Sequence, residues 1–171
     1  MTQDDMPHDG VPSAFRRQAD WDARIGQFYD YWRSLHLRVE SGTGPLPGRQ
    51  HLDPIEIPHL LPWLKLIDVV REPLRLRYRL IGTAGSAVYG DHTGRWLDEI
   101  FPHLPGSAVW DDYLGLVNHA RPSYYRGKPR LGNSPDIEAV ERLTVPLARD
   151  GRQVDMLLSV IIHQTKMPAR R

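Results

Sequence analysis

An α+β domain, an antiparallel sheet with helices gathered on one face, is the fold class this sequence predicts. Three observations predict it. Residues 74–80 alternate Leu74, Leu76, Tyr78 and Leu80 with Arg75, Arg77 and Arg79, the period of two of a strand with one buried and one wet face. Asp150 and Gly151 stand between two alternating apolar runs, the strongest short-range hairpin signal in the chain. Trp21, Ile25, Phe28, Trp32, Leu35 and Val39 recur at spacings of 4, 3, 4, 3 and 4, which puts them on one side of a helix of about 20 residues.

The N-terminal residues 1–19 carry Asp, Pro and Gly without periodicity and read as a flexible tail. Residues 20–40 hold the amphipathic helix, with Asp20 as N-cap. Its stripe is too short for an isolated coiled coil, so Trp21, Ile25, Phe28, Trp32 and Leu35 pack on the domain's own sheet, on a second copy, or on both. The segment SGTGPLPG at 41–48 is a loop whose glycine spacing fits neither a P-loop nor a dinucleotide fingerprint. Asp53 and Pro54 start a short helical piece limited by Pro58 and Pro62. Residues 63–70 read as a strand, turned by Arg71, Glu72 and Pro73 into the strand of 74–81, a hairpin. The small residues Ala84, Gly85, Ser86 and Ala87 allow a close-packed short helix. In 107–121, Val109, Trp110, Tyr113, Leu116, Val117 and Ala120 share a helical face until Pro122 stops it. Strands are expected at 123–131, 139–148 and 154–164. In the last, Val154, Met156, Leu158, Val160 and Ile162 form one apolar face, and Leu157 and Ile161 give the other. A strand apolar on both sides is central and doubly covered, and the N-terminal helix is the simplest cover for the Leu157 side.

Composition narrows the function classes. Of 171 residues, 40% are hydrophobic and 25% charged, a globular balance with room for one domain. Lys and Arg total 22 against 21 Asp and Glu, so the chain as a whole lacks the basic excess of a nucleic-acid or anionic-membrane binder. The absence of cysteine excludes disulfides, thiolate metal sites and cysteinyl–flavin photochemistry. The first ten residues are acidic and carry no apolar core, and no apolar run approaches membrane-spanning length. The expectation is a cytoplasmic protein.

Four motifs add a resemblance: DPxxIPxLLP at 53–62, YRLIGT at 78–83, DxTG at 91–94 and LTVPLARDG at 143–151. Together with the order of elements they resemble the PAS domain, and specifically the bacterial PAS_5 family typical of alphaproteobacteria, over residues 28–164. The resemblance implies a PAS-like domain over 41–165, followed by a short tail at 166–171. It also implies a five-stranded antiparallel sheet in the order 2-1-5-4-3, a cavity between the sheet and the helices of 83–121, and an N-terminal helix of a kind that often dimerises.

The candidate chemistry is modest. The eight histidines contain no HExxH and no pair four apart, and AGSAV at 84–88 is no GxSxG elbow. Asp111 and Asp112, like Asp98 and Glu99, are chain neighbours that point apart on a helix, which argues against a paired acid and base. His119 falls among the polar residues of its helix and His103 in a Pro-bounded loop, so neither recommends itself as a haem ligand. Tyr78, Trp110, Tyr113 and Tyr125 are the inward aromatics, and core packing explains them as readily as a ligand pocket does. The Arg75, Arg77 and Arg79 stripe suits either an acidic or nucleic-acid partner or a charged strand edge. The reading is a non-catalytic sensory or regulatory module of a homodimer, with a small-molecule ligand, a signalling protein partner, or both. A haem- or flavin-binding sensor is the alternative. No specific cofactor or metal is indicated.

Overall fold

The first hairpin forms as its alternation requires. In the computed structural model, which describes residues 15–132 and 135–166, β1 (Leu64–Val70) pairs antiparallel with β2 (Arg75–Ile81). A β-bulge interrupts the ladder: Leu66 faces Leu80, but Ile67 faces Tyr78, so Arg79 has no opposite residue. The extra residue turns the end of β2 to the other face. Leu76 and Tyr78 are therefore buried while Leu80 is 44% exposed, which corrects the expectation that all four apolar residues share one face.

The outer edge of β2 is covered by residues 91–95. Asp91 Oδ1 accepts from the Thr93 N–H at 2.9 Å, and this turn brings the Gly94 N–H to the Tyr78 carbonyl at 2.7 Å and the Arg95 carbonyl to the Tyr78 N–H at 3.0 Å. The DxTG motif thus protects a sheet edge. Between β2 and this cover, α2 (Thr83–Tyr89) starts at Gly82, where a Cβ would lie 2.4 Å from the Leu61 and Pro62 carbonyl oxygens. Only glycine fits there. Next come α3 (Leu97–Ile100) and α4 (Ala108–His119), the latter capped by the Ser107 hydroxyl, which accepts from the Trp110 N–H.

The sheet closes with β3 (Ser123–Gly127), β4 (Ile137–Leu147) and β5 (Met156–Thr165), all antiparallel, in the order β2-β1-β5-β4-β3. The Asp150 and Gly151 turn joins β4 to β5 as expected, but as a longer loop braced by Asp150 Oδ1, which accepts from the Arg152 and Gln153 N–H groups. The loop of 41–48 lies along it: Leu46 donates to the Gly151 carbonyl and Ala148 to that of Pro47. Val154 precedes β5 and joins the core under α2–α4, not the face of Met156.

Both faces of the sheet are covered by helices. On one, Leu66, Leu143, Val145, Leu158 and Val160 meet α1 (Ala23–Leu35). On the other, Ile67, Val69, Leu76, Tyr78 and Leu157 meet α3 and α4. The N-terminal helix therefore covers the Met156–Leu158–Val160 side of β5 rather than the Leu157 side expected. It is also shorter, because Asp22, not Asp20, accepts from the Arg24 N–H and sets its start. After Leu35 the chain tightens into a 3₁₀ turn, His36–Arg38, and His36 Nδ1–H donates to the Pro45 carbonyl at 2.9 Å.

The five residues expected at a helix interface are all buried within this chain. Ile25, Phe28, Trp32 and Leu35 lie under the sheet-facing side of α1, and Trp21 stacks on Tyr124 at 4.7 Å and 17°. Ala23, Gln27, Asp30 and Arg33 face outward. From Trp21 to Leu35 the apolar stripe is buried against the chain's own sheet. Residues 15–19 depart from a loose tail too: the Tyr29 hydroxyl donates to the Phe15 carbonyl at 3.1 Å, and the Phe15 ring packs 6.0 Å from those of Trp21 and Tyr29. The rest of the expected N-terminal tail, 1–14, and residues 167–171 at the C-terminus lie outside the described residues. Among the described residues no helix is long and apolar enough to cross a membrane.

Candidate functional site

Alternation along β1 places Lys65, Ile67 and Val69 on the face turned toward α2–α4, and alternation along β4 does the same for Val140, Arg142 and Thr144. Two cations thereby point toward the face of the sheet that α2–α4 cover. Between them and the helices lies a partly open cavity of about 60 Å³. Its floor is Lys65, Ile67, Arg142, Ser159 and Ile161 of the sheet, its walls are Tyr78, Tyr89, Tyr113 and Tyr125, and Pro129, Arg130 and Leu131 close one side.

Lys65 is the central group. Its Nζ lies 5.7 Å from the Tyr78 ring centroid and 5.4 Å from that of Tyr89, within cation–π range. It has no hydrogen bond or ion pair to any described residue. Burial, with the nearby Arg142 charge as the lesser cause, pushes its ammonium down to about 8. Gly85 makes room for it: a Cβ there would lie 3.2 Å from Lys65 Cε. Arg142 Nη2 donates to Asp112 Oδ2 at 3.0 Å, and Arg130 reaches the same oxygen at 3.2 Å. The Arg142 Nε–H is buried and meets no acceptor among the described residues.

The tyrosines supply donors. Burial raises the Tyr78, Tyr113 and Tyr89 hydroxyls above the usual phenol range, so they stay protonated at neutral pH. Neither Tyr78 nor Tyr113 hydrogen-bonds to another described residue through its hydroxyl. Tyr125 donates to the Lys128 carbonyl at 2.8 Å. The Ser159 and Thr144 hydroxyls bond each other at 2.9 Å, and Ser159 stands directly opposite Lys65 in the pairing of β5 with β1.

Three of the four pocket residues expected from sequence, Tyr78, Tyr113 and Tyr125, line this one cavity. Trp110 does not. It lies one turn earlier on α4, over Leu76, Leu97 and Leu104 at the Arg75 end of the sheet. Sequence reasoning misses Lys65, Arg142 and Tyr89. The available signal is a lone lysine in phase with Ile67 and Val69, and an arginine in phase with Val140. His103 and His119 are exposed and outside the cavity. Among the described residues no group of three His, Asp or Glu side chains is placed to hold a metal ion.

The arginine stripe is occupied locally. Arg75 meets Asp98 at 2.9 Å and Glu99 at 3.2 Å, Arg77 meets Asp68 at 3.0 Å, and Arg79 meets Asp68 at 3.7 Å. The Trp96 ring lies beneath Arg75 and Arg77. A second recess, about 450 Å³, opens between residues 52–62 and Leu66, Leu80 and Leu158. It is larger but almost wholly apolar, and it lacks the convergent polar groups that orient a ligand.

His163 on β5 borders the site, with its ring 5.3 Å from Tyr89 and both ring nitrogens buried without partners among the described residues. Burial, with the Lys65 charge second, lowers it to about 4. The folded chain thus keeps it neutral down to pH 4, whereas an unfolded histidine takes up a proton below about 6.5. Its contribution is whole above 6.5 and lost as pH falls toward 4. Urea unfolding at pH 7 and pH 4.5 is expected to show wild type losing about 2 kcal/mol more than His163→Leu over that interval, after a discount for the solvent screening of a half-buried ring. Equal losses would show that the imidazole is already charged in the folded state.

Compared with protein-family models and with curated proteins, the sequence matches none of either. The functional reading therefore rests on the site.

Proposed function

We propose that this chain is a non-catalytic, PAS-like sensory module that binds a small molecule in the cavity between the sheet and α2–α4 and passes its occupancy to a partner. The observation that carries the reading is Lys65, a cation without a hydrogen bond or ion pair to any described residue, set with the unengaged hydroxyls of Tyr78 and Tyr113 around one cavity. A fold meant only to be stable gains nothing from burying such a group. The strand order and the four sequence motifs support the PAS-like part.

A route for the signal is built into the strands. On β4 and β5, Arg142, Ser159 and Ile161 face the cavity, while the alternating residues Leu143, Leu158 and Val160 lie under α1. Movement of these strands on ligand binding would repack α1 on the opposite face. At about 60 Å³ the cavity is far below the roughly 300 Å³ at which pockets for drug-sized ligands begin, which disfavours the haem or flavin alternative. The Arg75, Arg77 and Arg79 pairs likewise disfavour a nucleic-acid or acidic-partner reading.

The test is thermal unfolding of dialysed protein against a panel of small acids, amides, amines and alcohols. At one hundred times its Kd a cavity ligand stabilises by about 2.7 kcal/mol, a rise of several degrees. A chemical class that raises Tm supports the reading. A flat panel overturns it.

A further inference from the structure

The donors and acceptors around the cavity are unevenly balanced. Its lining includes three cationic side chains, Lys65, Arg130 and Arg142, and no carboxylate. Asp112, behind them, accepts from both Arg130 and Arg142 and leaves Lys65 unanswered. Of the lining groups without a hydrogen-bond partner among the described residues, the Lys65 ammonium and the buried Arg142 Nε–H can only donate, and the Tyr78 and Tyr113 hydroxyls can donate or accept; His92 in the lining and the neutral His163 beside it add imidazole nitrogens of both kinds. Ile67, Ile81, Val140 and Ile161 supply an aliphatic part of the wall.

From this geometry we infer that the ligand is a short-chain carboxylate of about four to six non-hydrogen atoms, its carboxylate between Lys65 and Arg142 and its alkyl end against Ile67 and Ile161. The inference rests on the reading of this cavity as the sensory site and names that site's ligand class. An ionised carboxylate only accepts hydrogen bonds, which complements the Lys65 and Arg142 donors and hydroxyls that can turn their protons to it. A single negative charge also relieves the repulsion between the two cations. The size limit follows from the volume: at 10–15 Å³ for each water-sized position, about 60 Å³ holds roughly four to six such positions.

The experiment is isothermal titration calorimetry of the full chain with acetate, propionate and lactate, against their amides, ethylamine, and chloride and nitrate at matched ionic strength. Wild type and Lys65→Met are compared, with circular dichroism showing that the variant is folded. At least one carboxylate is expected to bind at least tenfold more tightly than its amide, and Lys65→Met is expected to weaken it 10- to 100-fold. Amides or amines binding as tightly would overturn the carboxylate assignment while leaving a ligand cavity in place. Chloride or nitrate binding as tightly would overturn it in favour of an inorganic anion. Unchanged affinity in Lys65→Met would place the carboxylate elsewhere. No binding by any probe would remove the sensory reading itself.

Discussion

Trp32→Ala is expected to destabilise the chain by about 3–5 kcal/mol, the range for removing a large aromatic from a closed core. Trp32 is 0% exposed, and it packs edge-on to His36 at 4.9 Å and against Tyr29 at 6.3 Å beneath the sheet. Its indole N–H has no partner among the described residues, so the loss is one of packing and of the cavity left behind. For a chain of this length each kcal/mol moves Tm by roughly 2–4 °C, so a fall of about 10 °C should appear in a thermal melt. An unchanged Tm with an altered sedimentation profile would show instead that the α1 stripe serves contact between copies. Both measurements belong on the same sample.

The opposite sign is expected at Lys65. Lys65→Met keeps much of the apolar stem and removes an ammonium that no described carboxylate answers, so the ligand-free protein should gain on the order of 2–3 kcal/mol at pH 7, a Tm rise of roughly 4–12 °C. The pH dependence fixes the cause. With the folded lysine at about 8 and an unfolded one near 10.5, the unfolded chain holds more protons between these values. Wild-type stability therefore gains a rising contribution from pH 8 upward, which the variant lacks. The advantage of Lys65→Met should be full below pH 8 and narrow toward 10.5. Denaturant unfolding of both proteins at pH 7 and pH 9.5 tests it, and a variant less stable than wild type at pH 7 would mean that Lys65 has a stabilising partner. A group kept at a cost to stability, in contact with a cavity, is the signature expected of a binding residue.

Much of the architecture is legible in the sequence because it is written in local spacings. The alternation of Leu76, Tyr78 and the arginines, the Asp53–Pro54 start, the face shared by Val109, Tyr113, Leu116 and Val117, and the Asp150–Gly151 turn each depend on residues a few positions apart, and each is present. The strand order implied by the PAS resemblance is present as well. The errors fall where neighbours in space are distant in the chain. Period two carried through Arg79 assigns Leu80 to the buried face, and the bulge breaks the period there. Trp110 shares a helical face with Tyr113, but the cavity spans only the later turn.

The sequence by itself determined the α+β class, the helix and strand positions and the inward tyrosines, since hydrophobic periodicity and turn chemistry act over a few residues. Tertiary structure alone decided which face α1 covers, and that its apolar stripe is consumed there. It also decided that Lys65 and Arg142, from strands separated by β5 in the sheet, line one cavity. The physical reason is that a buried charge draws its meaning from its surroundings in space. A lysine in phase with Ile67 and Val69 becomes a binding group only when Tyr78, Tyr89 and Gly85 close around it and no described carboxylate answers its charge.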